Sequence, residues 1–124
     1  MLDYVTVHDA GTVLNPALFE GQVRGGFAHG VAPALFERVV YDEDGNLLTG
    51  TFMDYLCPTG PDVPPLQMAR LETPSPFTPL GAKGVGEGNT MSVPVAIANA
   101  VADALGREDL ELPLTAPRVW ELLG

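Results

Sequence analysis

A chain of 124 residues is long enough for one domain with a real hydrophobic core and short for an independent enzyme. Its 46% hydrophobic residues and mean hydropathy of +0.16 exclude an intrinsically disordered composition, and imply either a well-packed small domain or a piece that docks onto other chains. Sixteen acidic against six basic residues, a formal charge of −10, repel phosphate backbones and anionic lipid and argue against a nucleic-acid partner.

The opening, Leu2 to Val7, has the β-branched and aromatic content of a strand, and a strand starting almost at the first residue suggests pairing with something supplied elsewhere. His8-Asp9-Ala-Gly11 reads as a turn. Asn15-Pro16 then supplies an N-cap followed by proline at the first helical position. From Pro16 to about Val39 the spacing of Leu18, Phe19, Val23, Phe27, Val31, Ala34 and Leu35 predicts a long helix, with Pro33 able to kink or break it. Four glycines, Gly21, Gly25, Gly26 and Gly30, each weaken that helix by about 1 kcal/mol relative to alanine. Such a concentration needs a reason, either close packing on another backbone or close approach of a large ligand.

Val39 to Asp42 and Leu47 to Tyr55 flank Asp42-Glu-Asp-Gly-Asn46 and predict a hairpin. The acids there, and those at Glu108, Asp109 and Glu111, read as solvated turns rather than metal ligands. Cys57-Pro-Thr-Gly-Pro-Asp-Val-Pro-Pro65 is too rich in proline for regular structure and predicts an extended strap. The single cysteine, Cys57, allows no internal disulfide and, with no histidine nearby, reads as a small buried hydrophobe. Gln67 to Glu72 predicts a short strand, and Thr73-Pro-Ser-Pro-Phe-Thr-Pro79 a second strap.

That strap leads into Gly81-Ala-Lys-Gly-Val-Gly-Glu-Gly88, where one carboxylate, Glu87, stands between glycines before an alanine-rich helical stretch. A turn of this kind lets the backbone approach a ligand and hold an acid against it; it is equally readable as a surface loop with one solvated glutamate. Beyond it, Thr90 or Ser92 can cap a helix with Pro94 in its first turn and Val93, Ile97, Ala100, Val101, Ala104 and Leu105 as its buried stripe, stopped by Gly106. A last short helix is predicted from Ala116 to Leu123. The fold class is therefore α+β, a few-stranded mixed or antiparallel sheet packed with two main helices, since the elements do not alternate as βαβ units. The N-terminus shows no signal peptide, no apolar run reaches membrane length, and the default compartment is the cytoplasm.

Taken in order, Asp9-Ala-Gly11, Asn15-Pro16, Gly21-Gln-Val-Arg-Gly-Gly26, Asp54-Tyr55, Pro74-Ser-Pro76, Gly81-Ala-Lys-Gly-Val-Gly-Glu87 and Ala96-Ile-Ala-Asn-Ala-Val-Ala-Asp-Ala104 resemble the C-terminal end of the large subunit of the molybdenum hydroxylases. That family comprises xanthine dehydrogenase, aldehyde oxidoreductase and aerobic carbon monoxide dehydrogenase. The likeness runs from about Val5 to Trp120. It implies that residues 1–124 are the C-terminal portion of a larger molybdopterin-binding domain. The Lys-Gly-Val-Gly-Glu form is most similar to bacterial enzymes that use molybdopterin cytosine dinucleotide. By resemblance, Glu87 is the general base that acts on the metal-bound hydroxide or water during attack on an electrophilic carbon. Gln22 matches the glutamine that hydrogen-bonds the cofactor, and Lys83, Gly84, Val85 and Gly86 match the backbone passing close to the molybdenum and its dithiolene.

His29 stands where family members usually carry glutamine, and Asn89, Met91 and Ser92 replace smaller or more apolar residues after the glutamate. The upstream segments that supply most cofactor contacts and the substrate pocket lie outside this sequence. The resemblance therefore implies partners: the upstream part of the molybdenum subunit, and FAD-containing and 2Fe-2S subunits or domains. The isolated chain is expected to hold no cofactor and to self-associate. The competing readings are a non-catalytic remnant of the same architecture and a small acidic interaction domain whose glycines serve packing alone.

Overall fold

A computed structural model describes residue 1 and residues 3–124. The described elements run β1 (Tyr4–Asp9), α1 (Pro16–Leu35), a single 3-10 turn (Gly60–Asp62), β2 (Leu66–Leu71), α2 (Gly88–Leu105) and α3 (Ala116–Leu123). Two strands and two main helices make this a small α+β unit. The predicted start of β1 at Leu2 lies outside the described residues.

The sheet corrects the expected strand orientation: β1 and β2 pair in parallel, from Tyr4 opposite Leu66 to Asp9 opposite Leu71. Parallel strands need a long crossover, and the stretch between them, which contains α1, provides it. Helix α1 returns the chain so that β2 enters alongside β1 in the same direction. Tyr4, Thr6 and His8 turn inward, while Val5 and Val7 on the other face remain exposed.

Helix α1 begins as its cap residues dictate, with Asn15 Oδ1 accepting from the Leu18 amide at 3.1 Å. It ends at Leu35, four residues before the predicted boundary, because the Phe36 and Glu37 amides both fold back onto the Ala32 carbonyl. Pro33 does not break it. Sitting in the last turn, it forfeits one bond, to the carbonyl of the exposed His29.

Against α1 lies α2, with Phe27, Val31, Ala34, Val93 and Ile97 as the shared core, and Tyr4 of β1 packs on it with its ring 4.7 Å from that of Phe27. The buried stripe of α2 is narrower than its apolar sequence suggests: Asn89, Val93 and Ile97 are buried, Val101 packs alongside, and Ala100 and Ala104 face outward. Gly106 ends α2 in the left-handed conformation (φ 64°), and α3 occupies its predicted bounds behind a Thr115 cap.

Of the predicted hairpin only the turn forms. Asp42 accepts from the amides of Asp44 and Asn46, and a single bridge joins Tyr41 to Leu47. With Val39, Tyr41, Leu47 and Leu48 all exposed, there is no apolar face to hold a longer ladder. Cys57, expected to be buried, is exposed on the strap. Among the described residues no helix is long and apolar enough to cross a membrane.

Candidate functional site

The glycine loop is knitted into the fold at its front end. The Gly81 carbonyl accepts from the amides of Thr12 and Ser75, at 3.1 and 2.9 Å, and the Lys83 amide donates to the Ala10 carbonyl at 2.8 Å. Three motifs separated in sequence, Asp9 to Gly11, Pro74 to Pro76 and Gly81 to Lys83, thus converge on a few backbone groups. Glycine is required at Gly11 and Gly81: both have positive φ, and a Cβ on Gly81 would lie 2.8 Å from Pro74 Cβ.

Charge reinforces this junction. Lys83 Nζ lies 2.9 Å from Asp9 Oδ2 and 2.6 Å from Thr73 Oγ1, and the Asp9 carboxylate also accepts from the Gly11 and Thr73 amides. The Thr73 hydroxyl donates to Asp9 as well. That hydroxyl first, then the Lys83 ammonium and the two amides, hold the Asp9 carboxyl well below the usual carboxylate range. Lys83, assigned by resemblance to the cofactor-facing backbone, thereby spends both its amide and its ammonium within the chain.

Beyond Lys83 the loop is held through Val85, whose side chain packs on Ala10, Phe19 and Val23 and whose carbonyl accepts from the Gly88 amide at 3.3 Å, while the preceding amides stay open. No acceptor among the described residues takes the amide N–H of Gly84, Val85 or Gly86. Glu87 is the N-cap of α2, exposed, with no hydrogen bond to its side chain among the described residues. Gln22, on the second turn of α1, is likewise exposed, and its Oε1 lies 3.4 Å from where a Cβ on Gly86 would be. Gln22, Lys83 and Val85 line one cleft of about 230 Å³ together with Val13, Leu18 and Phe19. Three of the predicted site residues thus share this cleft, and Gly86 adjoins it through Gln22, whereas Gly84 and Glu87 are not among its lining. A larger cleft of about 390 Å³, along Arg38, Glu111 and Arg118, lies beside α3 and shares no residue with the loop.

The four α1 glycines divide. A Cβ on Gly30 would lie 2.6 Å from Val93 Cβ, and one on Gly26 would lie 3.2 Å from Asn89 Cβ, so these two exist for helix packing. Gly21 and Gly25 have nothing within 4 Å of the same position. Packing inside the chain gives no reason for glycine there.

Two residues to which the sequence assigned no site role, His8 and Asn89, complete the surroundings. The His8 ring occupies the space a Cβ on Gly88 would need, with Nε2 2.6 Å from it, and meets the Phe19 ring edge-on. Asn89 is buried and bonded to both α1 and β1. No local signal marks either contact, because each joins positions more than sixty residues apart, except His8 with Phe19.

Residues 1–64 match the molybdopterin cofactor-binding domain family. Across 92% of its length the chain is 45% identical to the nicotine 6-hydroxylase large subunit of Paenarthrobacter nicotinovorans, and across 97% it is 41% identical to the carbon monoxide dehydrogenase large chain of Hydrogenophaga pseudoflava. It spans only 14% and 15% of those proteins. Its fold superposes on quinoline 2-oxidoreductase from Pseudomonas putida 86 with a TM-score of 0.90 at 42% identity, over 98% of this chain and 16% of that one. The chain belongs to the molybdopterin cofactor-binding domains of the molybdenum hydroxylase family.

Proposed function

We propose that this chain is the portion of a molybdenum hydroxylase catalytic subunit that supplies the general base, Glu87, and part of the cofactor seat, Gln22 with the loop Lys83 to Gly86. One juxtaposition carries the reading: the Gln22 carboxamide faces Gly86, beside a Glu87 whose side chain has no hydrogen bond among the described residues.

The donor set fits an anionic, flat cofactor. The N–H groups of Gly84, Val85 and Gly86 are available to its acceptor atoms, and the Gln22 amide offers both a donor and an acceptor. The open positions at Gly21 and Gly25 leave α1 approachable by a bulky pterin. When bound, the molybdenum cofactor supplies the Lewis acid and the electron acceptor. The chain's own part is to orient that group through Gln22 and the loop amides, and to take up a proton at a Glu87 carboxylate oxygen. The lysine form of the loop supports the cytosine dinucleotide variant of the cofactor.

The reaction served is oxidative hydroxylation of an aldehyde, purine, N-heterocycle or CO-like substrate, with the pocket supplied by the upstream part of the subunit and electrons passed to 2Fe-2S and FAD partners. Co-expression with that upstream part tests the reading. Stoichiometric molybdenum and hydroxylation in the complex, with no molybdenum in the isolated chain, are the predicted results. A complex that assembles without molybdenum would favour a non-catalytic remnant or an acidic interaction domain of the same fold.

A further inference from the structure

Two residues beyond Glu87 stands a side chain to which the family resemblance gives no role. Asn89 is 2% exposed. Its Nδ2 donates to the Val23 carbonyl of α1 at 3.0 Å, and its Oδ1 accepts from the Thr6 hydroxyl of β1 at 2.9 Å. Only the amide nitrogen can donate to a carbonyl, so the orientation of the carboxamide is fixed by its partners. Thr90 adds a longer bond, from its hydroxyl to the Gly26 carbonyl at 3.4 Å.

These bonds set a register along α1. Gln22 faces Gly86, Val23 holds Asn89, and Gly26 receives Asn89 and Thr90. Glu87 lies between the first two of these contacts in sequence, and its side chain has no hydrogen bond among the described residues. Its front tethers are Val85, two residues away and packed on the Ala10, Phe19 and Val23 cluster, and Lys83, four residues away and bonded to Asp9. Its rear tether, Asn89, is two residues away in the first turn of α2. We infer that Asn89 is a positioning residue for Glu87, fixing the base relative to Gln22 by pinning the first turn of α2 to both α1 and β1. The inference rests on the general-base reading of Glu87.

A buried amide bonded on both sides also stabilises the fold, so the test separates position from stability. It uses the full catalytic subunit containing this segment, loaded with cofactor. In Asn89→Ala, kcat should fall roughly ten- to a hundredfold, the scale of a misplaced catalytic group, with KM and molybdenum content unchanged. Amide exchange over residues 84–88 should quicken. Thr6→Val, which removes one tether, should show a smaller change in the same direction, and Thr6→Ser, which keeps the hydroxyl, should match wild type. Ile97→Val, a destabilising change farther along α2, should leave kcat and the exchange of residues 84–88 unchanged. The inference is overturned if Asn89→Ala and Thr6→Val keep wild-type kcat and exchange, or if Ile97→Val reproduces their effects. Should Asn89→Ala fail to fold, Thr6→Val alone decides. A Glu87→Gln subunit of full activity would instead remove the general-base reading itself, independently of how Asn89 behaves.

Discussion

The two faces of α1 carry two glycines each and use them for opposite ends. Gly26 and Gly30 let α2 approach until side chains of one helix touch the backbone of the other, whereas Gly21 and Gly25 face nothing among the described residues. The inner pair is explained by the fold. The outer pair, each costing about 1 kcal/mol of helix propensity, has no such packing reason among the described residues, and the proposed cofactor seat supplies one.

The strongest way to break this contrast is Gly30→Ala. Its methyl would meet the Val93 side chain, and overpacking of this kind costs about 1–3 kcal/mol, so urea denaturation of the chain should show a lower midpoint. Gly25→Ala should do the reverse, raising stability by up to about 1 kcal/mol. It should also lower molybdenum content in the assembled subunit; undiminished loading would leave the outer glycine without a function.

A smaller effect sharpens the view of the Lys83 tether. The Asp9 carboxyl is held well below its ordinary value, so its contribution to stability is present above the unfolded pKa near 3.9 and lost as pH falls through the lower folded value. The stability difference between wild type and Asp9→Asn should therefore be constant above about pH 5 and shrink below about pH 4, as followed by urea midpoints across that range. The least effect on folding is predicted for the arm after α1, where Phe52 and Met53 are 85% and 88% exposed. Replacing both with serine should change stability by no more than about 0.5 kcal/mol, while reducing self-association in sedimentation measurements.

Sequence carried what local chemistry determines. The Asn15 cap, the stop at Gly106, the bounds of α3 and the existence of both strands follow from residues within a few positions of each feature. Parallel pairing did not, because it depends on where a crossover of more than fifty residues returns. The ordered motifs identified the family and nominated Gln22 and Glu87, yet nothing in their order shows that Asp9, Thr73 and Lys83 meet. The burial of Asn89 was hidden for the same reason. In sequence it stands out only as a replacement for a smaller or more apolar residue after the glutamate, and only the contacts with Val23 and Thr6 make it part of the core.

The central claim is that Glu87 is the proton acceptor of the site. Replacement of Glu87 by glutamine in the assembled, molybdenum-loaded subunit, followed by single-turnover measurement, tests it directly. The account predicts full molybdenum content with turnover abolished; a Glu87→Gln subunit that turns over at the wild-type rate would contradict it.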